Sequence, residues 1–322
     1  MAIQRNSIGN LSQVMDEEIL EGLKRRDKCI SSKYLYDEIG SKIFQEIMSM
    51  PEYYLFDAEH EILSSQSENI HRHLPFDNHY SVVELGAGDG SKTIELLKVL
   101  EQDPLFNRYI PVDISSEATV QIQDTLSSTL PDLKVSPIIG NYHNALAQFI
   151  PQNEAVLVLN LGSNIGNFNK PTIENLVQSF GRDLRLGDAM LVGMDLRKNP
   201  NVIAAAYNDS QGITKRFNFN LLTRLNRDLG GNFNLSTFDF YSFYNPDTGE
   251  VRSYLISLID QDVKFTKTGD IIHFNQFEYI HTEISKKFNY DEIQQLSKIG
   301  GFSEVYNFID KGNRFTDSLW IK

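Results

Sequence analysis

The sequence predicts an α/β fold: a mostly parallel sheet with helices, joined to a second, smaller α+β region. Three observations predict it. Short apolar runs alternate with segments of helical periodicity between about residues 80 and 200. The strand-like run Ser81–Leu85 leads into the turn Gly86-Ala87-Gly88-Asp89-Gly90, and the next strand ends at Asp113. Strand–helix–strand units of this kind form right-handed crossovers, which lay their strands parallel.

The individual elements follow from periodicity and from turn residues. The predicted strands of the alternating region are Ser81–Leu85, Tyr109–Ile114, Lys134–Ile139, Ala155–Leu161 and Ala189–Asp195, and its predicted helices are Lys92–Glu101, Glu117–Leu130 and Ile173–Leu184. Residues 1 to about 60 are expected to be helical, with one helix opened by Asp16-Glu17-Glu18 and another that begins at Gly40 and stops near Pro51.

The pattern changes past residue 200. The predictions there are helices Pro200–Tyr207 and Thr214–Leu229, strands Phe238–Tyr244 and Val251–Ile259, a further strand pair, and a closing helix Asp291–Ile299. The aromatic run from Phe233 to Tyr244 is interpreted as a hydrophobic core strand, since no basic surface accompanies it to suggest base stacking.

Composition excludes several classes of protein. The net charge is −13 and no long run of Lys or Arg occurs, which argues against a nucleic-acid or anionic-membrane surface. Cys29 is the single cysteine, so an intramolecular disulfide and a cysteine-rich metal site are both excluded. No carboxylate cluster accompanies His71 and His73, and no metal is expected. No signal-peptide core or 18-residue apolar stretch appears, so a cytoplasmic protein is expected.

The glycine turn indicates which cofactor the crevice holds. A dinucleotide fingerprint would read G-x-G-x-x-G, whereas this turn reads G-x-G-x-G and contains Asp89. An acid is a poor neighbour for a pyrophosphate and a good one for the cationic end of S-adenosylmethionine (SAM). Asp113 is placed to accept the ribose hydroxyls, a role that NAD and SAM enzymes share. Asn141 and Tyr142, after the third strand, are candidates for adenine contacts, although an ordinary Asn turn and a half-buried Tyr would read alike.

Further segments resemble the histidine-specific Nα-methyltransferase family, the SAM-dependent enzymes of ergothioneine biosynthesis. They are Ser32–Asp37 with Gly40-Ser41, Pro51–Tyr54, Leu161–Phe168, Asp195 with Asn199-Pro200 and Ala205–Asp209, and Thr282–Phe288. The resemblance runs from about residue 30 to the C-terminus. It implies a Rossmann-like SAM domain at 61–197, completed by a return at 289–322. It also implies a substrate domain made of a helical part at 1–60 and an insertion at 198–288.

The resemblance also implies roles for individual residues. Contacts to the cofactor fall, by motif position, to Tyr36, Gly86, Gly88, Lys92, Asp113, Asn141 and Tyr142. Tyr53, Asn167 and Tyr207 would hold the α-carboxylate and α-amine of an amino acid, and Phe44 would line the pocket near the transferring methyl. A neutral Asn and two tyrosine hydroxyls bind a carboxylate without a full positive charge beside the sulfonium.

One position departs from the family pattern. In the histidine enzymes, the strand after the Asn-Pro turn binds the imidazole through an acidic residue and a small hydroxyl residue. Here that strand is Glu250–Ser257, which follows Asn245-Pro246, and it places Arg252 and Tyr254 at those positions. A guanidinium cannot accept an imidazole N–H bond. The alternatives are a shifted register, an acidic or aromatic substrate side chain, or an Arg252 that lies on a solvated strand face.

The sequence therefore predicts a monomeric SAM-dependent Nα-methyltransferase that acts on an amino acid, with L-histidine the leading substrate and trimethylhistidine the product. The same chemistry on another amino acid, or on an amine derived from one, remains the first alternative. The second is a non-catalytic protein that binds SAM or an amino acid.

Overall fold

The computed structural model describes residues 15–113, 116–140 and 146–322. They form two compact units. Unit 1 comprises the described residues up to Tyr53 together with Asn199–Ser285, and unit 2 comprises Tyr54–Lys198 and Lys286–Lys322. The boundary expected at residue 60 falls inside a helix, Tyr54–Arg72, which belongs to unit 2 over its whole length. The return to unit 2 comes at Lys286 and not at residue 289.

Unit 2 contains a seven-stranded sheet with the order β11-β12-β5-β4-β1-β2-β3. The strands are β1 (Tyr80–Leu85), β2 (Phe106–Asp113), β3 (Ile138–Ile139), β4 (Ala155–Asn160), β5 (Ala189–Asp195), β11 (Glu304–Ile309) and β12 (Phe315–Ile321). The first five are parallel, whereas β12 is antiparallel to β5 and to β11. The chain runs outward from β1 in one direction as far as β3 and then returns to β4 on the other side. This reversal creates a switch point at the carboxyl ends of β1 and β4, where α/β sheets bind ligands.

Helices cover both faces of this sheet. They are α3 (Tyr54–Arg72), α4 (Thr93–Leu100), α5 (Ser116–Thr129), α6 (Lys170–Asp183) and α9 (Tyr290–Ile299). Alternate residues of β1 enter two separate cores, Val82 with α3, α4 and α5, and Val83 with α6 and α9. Burial on both sides explains why the central strands read as continuous apolar runs in the sequence.

The third strand is much shorter than the predicted Lys134–Ile139. Tyr109 donates its backbone N–H to Lys134 O at 2.9 Å and accepts one from Ser136 N at 2.9 Å, which makes a single isolated bridge. The next N–H of β2 on this side would come from Pro111, which has none, so the ladder is interrupted and resumes only at Ile138.

Unit 1 combines helices with two small sheets. Its helical elements are α1 (residues 15–24), α2 (Glu38–Met48), α7 (Pro200–Tyr207) and α8 (Ile213–Leu229). Its strands are β6 (Phe238–Asn245), β7 (Glu250–Ser257) and β10 (Tyr279–Lys286) in one sheet, whose last residue Lys286 already belongs to unit 2, and β8 (Gln261–Lys264) and β9 (Ile271–Phe274) in the other. A single core of apolar side chains from α1, α2, α8 and both sheets holds the unit together.

The prediction that the aromatic run up to Tyr244 is a core strand is wrong for its outward-facing half. Phe238 is buried, but Tyr241 is 52% and Phe243 36% exposed. Because successive side chains of a strand point to opposite faces, only one face of β6 reaches the core.

Among the described residues, no helix is long and apolar enough to cross a membrane.

A buried carboxylate, Asp195, binds the segments where the chain enters and leaves unit 2. The Tyr54 hydroxyl donates to Asp195 Oδ2 at 2.9 Å, Lys287 Nζ lies 2.8 Å from the same oxygen, and Lys198 Nζ pairs with Oδ1. Asp195 and Lys287 have fully buried side chains. Two ammonium groups therefore share one carboxylate that is inaccessible to water.

We predict that Asp195→Asn lowers the free energy of unfolding by about 3–5 kcal/mol, because the amide removes the buried charge that two ammonium groups share. Urea denaturation followed by circular dichroism measures the change. The control is Asp239→Asn, which removes one partner of the exposed pair with Lys215 and should cost less than about 1 kcal/mol. Equal losses in the two variants would contradict the importance of the Asp195 cluster.

Candidate active site

The glycine turn follows β1 at the switch point. Gly86, Gly88 and Gly90 have φ values of 72°, 58° and 70°, a region that other residues enter only with strain. The Gly86 N–H donates to Val112 O at 2.8 Å, which fastens the turn to β2. A Cβ added to Gly88 would meet no atom within 4 Å, so the backbone there borders open space that a ligand can approach.

Asp113 ends β2 beside this turn, as predicted from the sequence. Its Oδ2 accepts the Gly88 N–H at 3.2 Å, which ties the carboxylate to the turn. The Gly140 N–H donates to Asp113 O at 2.9 Å, so the chain after β3 passes the same point. Asn141 and Tyr142, the candidates for adenine contacts, lie outside the described residues.

The acid that precedes the turn, Glu84, is buried within the fold. Thr93 Oγ1 donates to Glu84 Oε1 at 2.7 Å, and the Tyr109 hydroxyl donates to Oε2. Burial raises the pKa of Glu84 to about 7, although both hydrogen bonds act in the opposite direction. Glu84 of β1 therefore binds one side chain at the start of α4 and one from the middle of β2.

Lys92 lies just before α4 and is paired with a residue that sequence analysis did not single out. Its Nζ binds Glu59 Oε2, and Glu59 Oε1 accepts the Gly162 N–H at 2.6 Å. Burial lowers the pKa of Lys92, but the nearby carboxylates, Glu59 foremost, more than offset that effect and leave the pKa raised. Nothing in the sequence distinguishes Glu59 from the other acids of α3.

Asn167 lies on a short segment after β4, also at the switch point. Gly162 and Ser163 have φ values of 74° and 55°, and they reverse the chain into a 3₁₀ turn, Asn164–Asn167. A Cβ on Gly166 would lie 2.8 Å from Lys286 O, so the turn packs closely on the chain that re-enters unit 2. Asn160, the last residue of β4, is buried, and its Oδ1 has no hydrogen-bond partner among the described residues.

The aromatic site residues of unit 1 form one cluster. The ring centroids of Tyr36 and Phe44 are 5.2 Å apart, and those of Phe44 and Tyr53 are 6.0 Å apart. Phe217 of α8 completes the cluster, 5.3 Å from Tyr36 and 5.8 Å from Phe44. Tyr36 is 41% exposed although its hydroxyl has protein groups around it, which fits a side chain that lines a concave surface.

Polar groups of unit 1 meet at the same place. Burial raises the pKa of the Tyr36 hydroxyl, and Glu283, Tyr53 and Tyr207 raise it further by their proximity. The buried Tyr207 hydroxyl is 2.8 Å from Ser285 Oγ. Glu283 and Ser285 are two residues apart on β10, so their side chains point to the same face of the sheet.

Arg252 and Tyr254 lie on β7 with partners of their own. Two Arg252 nitrogens bind Glu250 Oε2 at 3.0 and 2.8 Å, and 41% of the arginine side chain is exposed. The Tyr254 ring stacks on Phe243 at 6.1 Å and meets Tyr279 edge-on at 5.0 Å. Neither side chain is among the groups that act on the Tyr36 hydroxyl.

Glu283 and Ser285 were not singled out from the sequence. The signal was present, because both residues lie in Thr282–Phe288, one of the segments that carries the family resemblance. An acid and a small hydroxyl residue stand two positions apart in that segment, on β10.

Comparison with known proteins agrees with this geometry. A family model described as histidine-specific methyltransferase, SAM-dependent, matches residues 15–322. The histidine N-alpha-methyltransferase of Mycolicibacterium smegmatis is 28% identical over 97% of this chain and 96% of its own length. Ergothioneine biosynthesis protein 1 of Schizosaccharomyces pombe is 30% identical over 94% of this chain, which spans 40% of that protein. The L-tryptophan methyltransferase trpM of Psilocybe serbica is 26% identical over 91% of this chain and 88% of its own length.

The family match covers nearly all of the chain, and the fold and the glycine turn fit it. This chain belongs to the family of SAM-dependent histidine-specific methyltransferases.

Proposed function

We propose that this chain transfers methyl groups from SAM to the α-amine of L-histidine. The observation that carries the proposal is the cluster in unit 1, where Glu283, Ser285 and Tyr207 lie together beside the Tyr36 hydroxyl. Family membership and the names of the mycobacterial and fungal relatives support the same activity.

The residues at the switch point fit SAM. Gly86 and Gly88 give the turn its positive φ, and the backbone at Gly88 borders open space. Asp113 offers a carboxylate for the ribose hydroxyls, and Lys92 offers an ammonium group for the cofactor's carboxylate. The unpartnered Asn160 Oδ1 provides an acceptor for its ammonium group. When bound, SAM supplies an electrophilic methyl on a sulfonium. Asn141 and Tyr142 stay candidates for the adenine.

Tyr36 was expected from the sequence to contact the cofactor. We assign it instead to the amino acid, because the ionisable groups that raise the pKa of its hydroxyl, Glu283, Tyr53 and Tyr207, are substrate candidates. Tyr53, Asn167 and Tyr207 keep their proposed role of holding the α-carboxylate and the α-amine. Their neutral donors add no positive charge near a sulfonium. Phe44, packed between Tyr36 and Tyr53, supplies an apolar wall.

Glu283 and Ser285 match the imidazole. A neutral imidazole has one N–H donor and one nitrogen acceptor, so a carboxylate can accept from the first while a hydroxyl donates to the second. Arg252 is not needed in this scheme, because Glu250 already balances its charge. An acidic substrate side chain is correspondingly disfavoured beside Glu283.

An aromatic amino acid such as tryptophan is the second candidate. The rings of Tyr36, Phe44 and Phe217 offer it an apolar wall, and one relative is named an L-tryptophan methyltransferase. An indole has an N–H that Glu283 could accept but no nitrogen acceptor for Ser285. Histidine uses both groups and is favoured for that reason.

The reaction depends on the position of the acceptor amine more than on a reactive side chain. Methyl transfer is an in-line displacement, in which the neutral amine nitrogen must approach the methyl to about 3–3.5 Å along the C–S axis. Hydrogen bonds to the α-carboxylate and the imidazole fix two ends of the histidine, and this leaves the amine little freedom to turn away. No covalent nucleophile takes part.

We predict that Glu283→Gln reduces kcat/KM for histidine by 10- to 100-fold, about 1.5–3 kcal/mol, since the amide loses a charged hydrogen bond to the imidazole N–H. Initial rates of S-adenosylhomocysteine formation measure it. The comparison variant is Arg252→Met, which should change kcat/KM by less than threefold. A large loss in Arg252→Met with little effect of Glu283→Gln would return the side-chain pocket to β7 and contradict this assignment.

We predict that Asp113→Asn weakens SAM binding tenfold or more, about 1.5–3 kcal/mol, because an amide has one acceptor oxygen where the carboxylate has two. Isothermal titration calorimetry gives the Kd directly. Asp103→Asn is the matched control, since Asp103 binds His71 and Tyr80 before β2, at the other end of that strand. Unchanged SAM affinity in Asp113→Asn would exclude the ribose role.

A further inference from the structure

We propose that Glu59 is a positioning residue that holds Lys92 for the cofactor and, with the same carboxylate, the turn that leads to Asn167. The proposal deepens the function proposed above and rests on it, because it takes Lys92 and Asn167 to be ligand-binding residues. Glu59 is not expected to touch SAM or the amino acid.

Glu59 contacts two separate segments of unit 2. Its side chain is completely buried on α3, and its two oxygens have different partners. Oε2 binds the ammonium group of Lys92, which is 21% exposed, and Oε1 accepts the Gly162 N–H at 2.6 Å. One carboxylate thus spans the helix that follows the glycine turn and the segment that follows β4.

The surroundings are shaped to admit this carboxylate. A Cβ on Gly193 of β5 would collide with Glu59 Oε1, so glycine is required there for Glu59 to reach Gly162. Asp317 of β12, which pairs with Gly193 in the sheet, is buried and has no hydrogen-bond partner among the described residues. Burial raises the pKa of Asp317, and the nearby Glu59 raises it further. Glu59 is therefore the carboxylate that supplies the counter-charge for Lys92.

Such a link pre-organises both halves of the ligand site of unit 2. A lysine side chain has four flexible bonds and loses entropy when a ligand fixes it, so a partner that fixes it beforehand improves binding. The Gly162 turn has φ of 74° and begins the segment that carries Asn167. Loss of the Glu59 charge should affect both, whereas loss of an ion pair elsewhere in the sheet should not.

The test is calorimetric SAM binding to Glu59→Gln, without an acceptor amino acid, combined with the KM for histidine. We expect the Kd of SAM to rise tenfold or more and the KM for histidine to rise as well. In a Lys92→Met background, Glu59→Gln should have at most a twofold further effect on the Kd of SAM, because the group that Glu59 positions is then absent. This dependence on Lys92 is what a merely structural role would not show.

The matched control is Glu154→Gln. Glu154 is also largely buried and paired, with Arg108, but it lies immediately before β4, at the end of that strand remote from the switch point. We expect it to lower the thermal midpoint and leave the Kd of SAM unchanged. If Glu59→Gln does not fold, Glu59→Asp takes its place. The aspartate keeps the charge on a shorter side chain, and we expect the Kd of SAM to rise in this variant as well.

Two outcomes would overturn the proposal. One is a Glu59→Gln protein that is less stable but binds SAM with unchanged affinity. The other is a full additional effect of Glu59→Gln on the Kd of SAM in the Lys92→Met background. A wild-type chain that binds no SAM at all would instead overturn the proposed function, so the two failures can be told apart.

Discussion

The buried carboxylate of Asp195 is the interaction on which unit 2 depends. Unit 2 is discontinuous in sequence, and the chain enters it at Tyr54, leaves it after Lys198 and re-enters at Lys286. Side chains at all three places, those of Tyr54, Lys198 and Lys287, bind Asp195. Because the carboxylate is buried, each bond is stronger than it would be in water and each unmet charge would be costly. One residue at the end of β5 therefore joins the three places where the chain enters or leaves unit 2.

Carboxylates also have specific partners at the switch point. Glu59 and Lys92 form one buried pair, and Asp113 is tied to the glycine turn by a backbone N–H. Glycine is needed where the backbone takes positive φ beside the ligand space, and it is needed again at Gly193, where a side chain would displace Glu59. Around the Tyr36 hydroxyl of unit 1, the polar groups named above are the hydroxyls of Tyr53, Tyr207 and Ser285 and the carboxylate of Glu283.

Much of this could be predicted from the sequence, since central strands buried on both faces and a glycine turn leave strong local patterns. The strand Ala189–Asp195 and the helix Pro200–Tyr207 were predicted to the residue. The bounds of the third strand were not predicted, because only the structure shows that Pro111 of β2 lies beside it and interrupts the ladder. The sequence analysis pointed to Arg252, whereas we propose Glu283 as the contact to the substrate side chain. Which of two strands faces the aromatic cluster is decided by tertiary pairing, and only the structure shows Glu250 beside Arg252. Glu59 leaves no pattern at all, because its partners are 33 and 103 residues away.

The central claim is that the acceptor is the α-amine of histidine, held by its imidazole and its carboxylate. The most direct measurement is the site of methylation in the product formed from SAM and L-histidine, determined by heteronuclear NMR. We predict new methyl signals correlated with the α-carbon and none correlated with the ring carbons, because in the proposed pocket Glu283 and Ser285 bind both ring nitrogens. Methylation on the imidazole, or no methylated histidine at all, would contradict it.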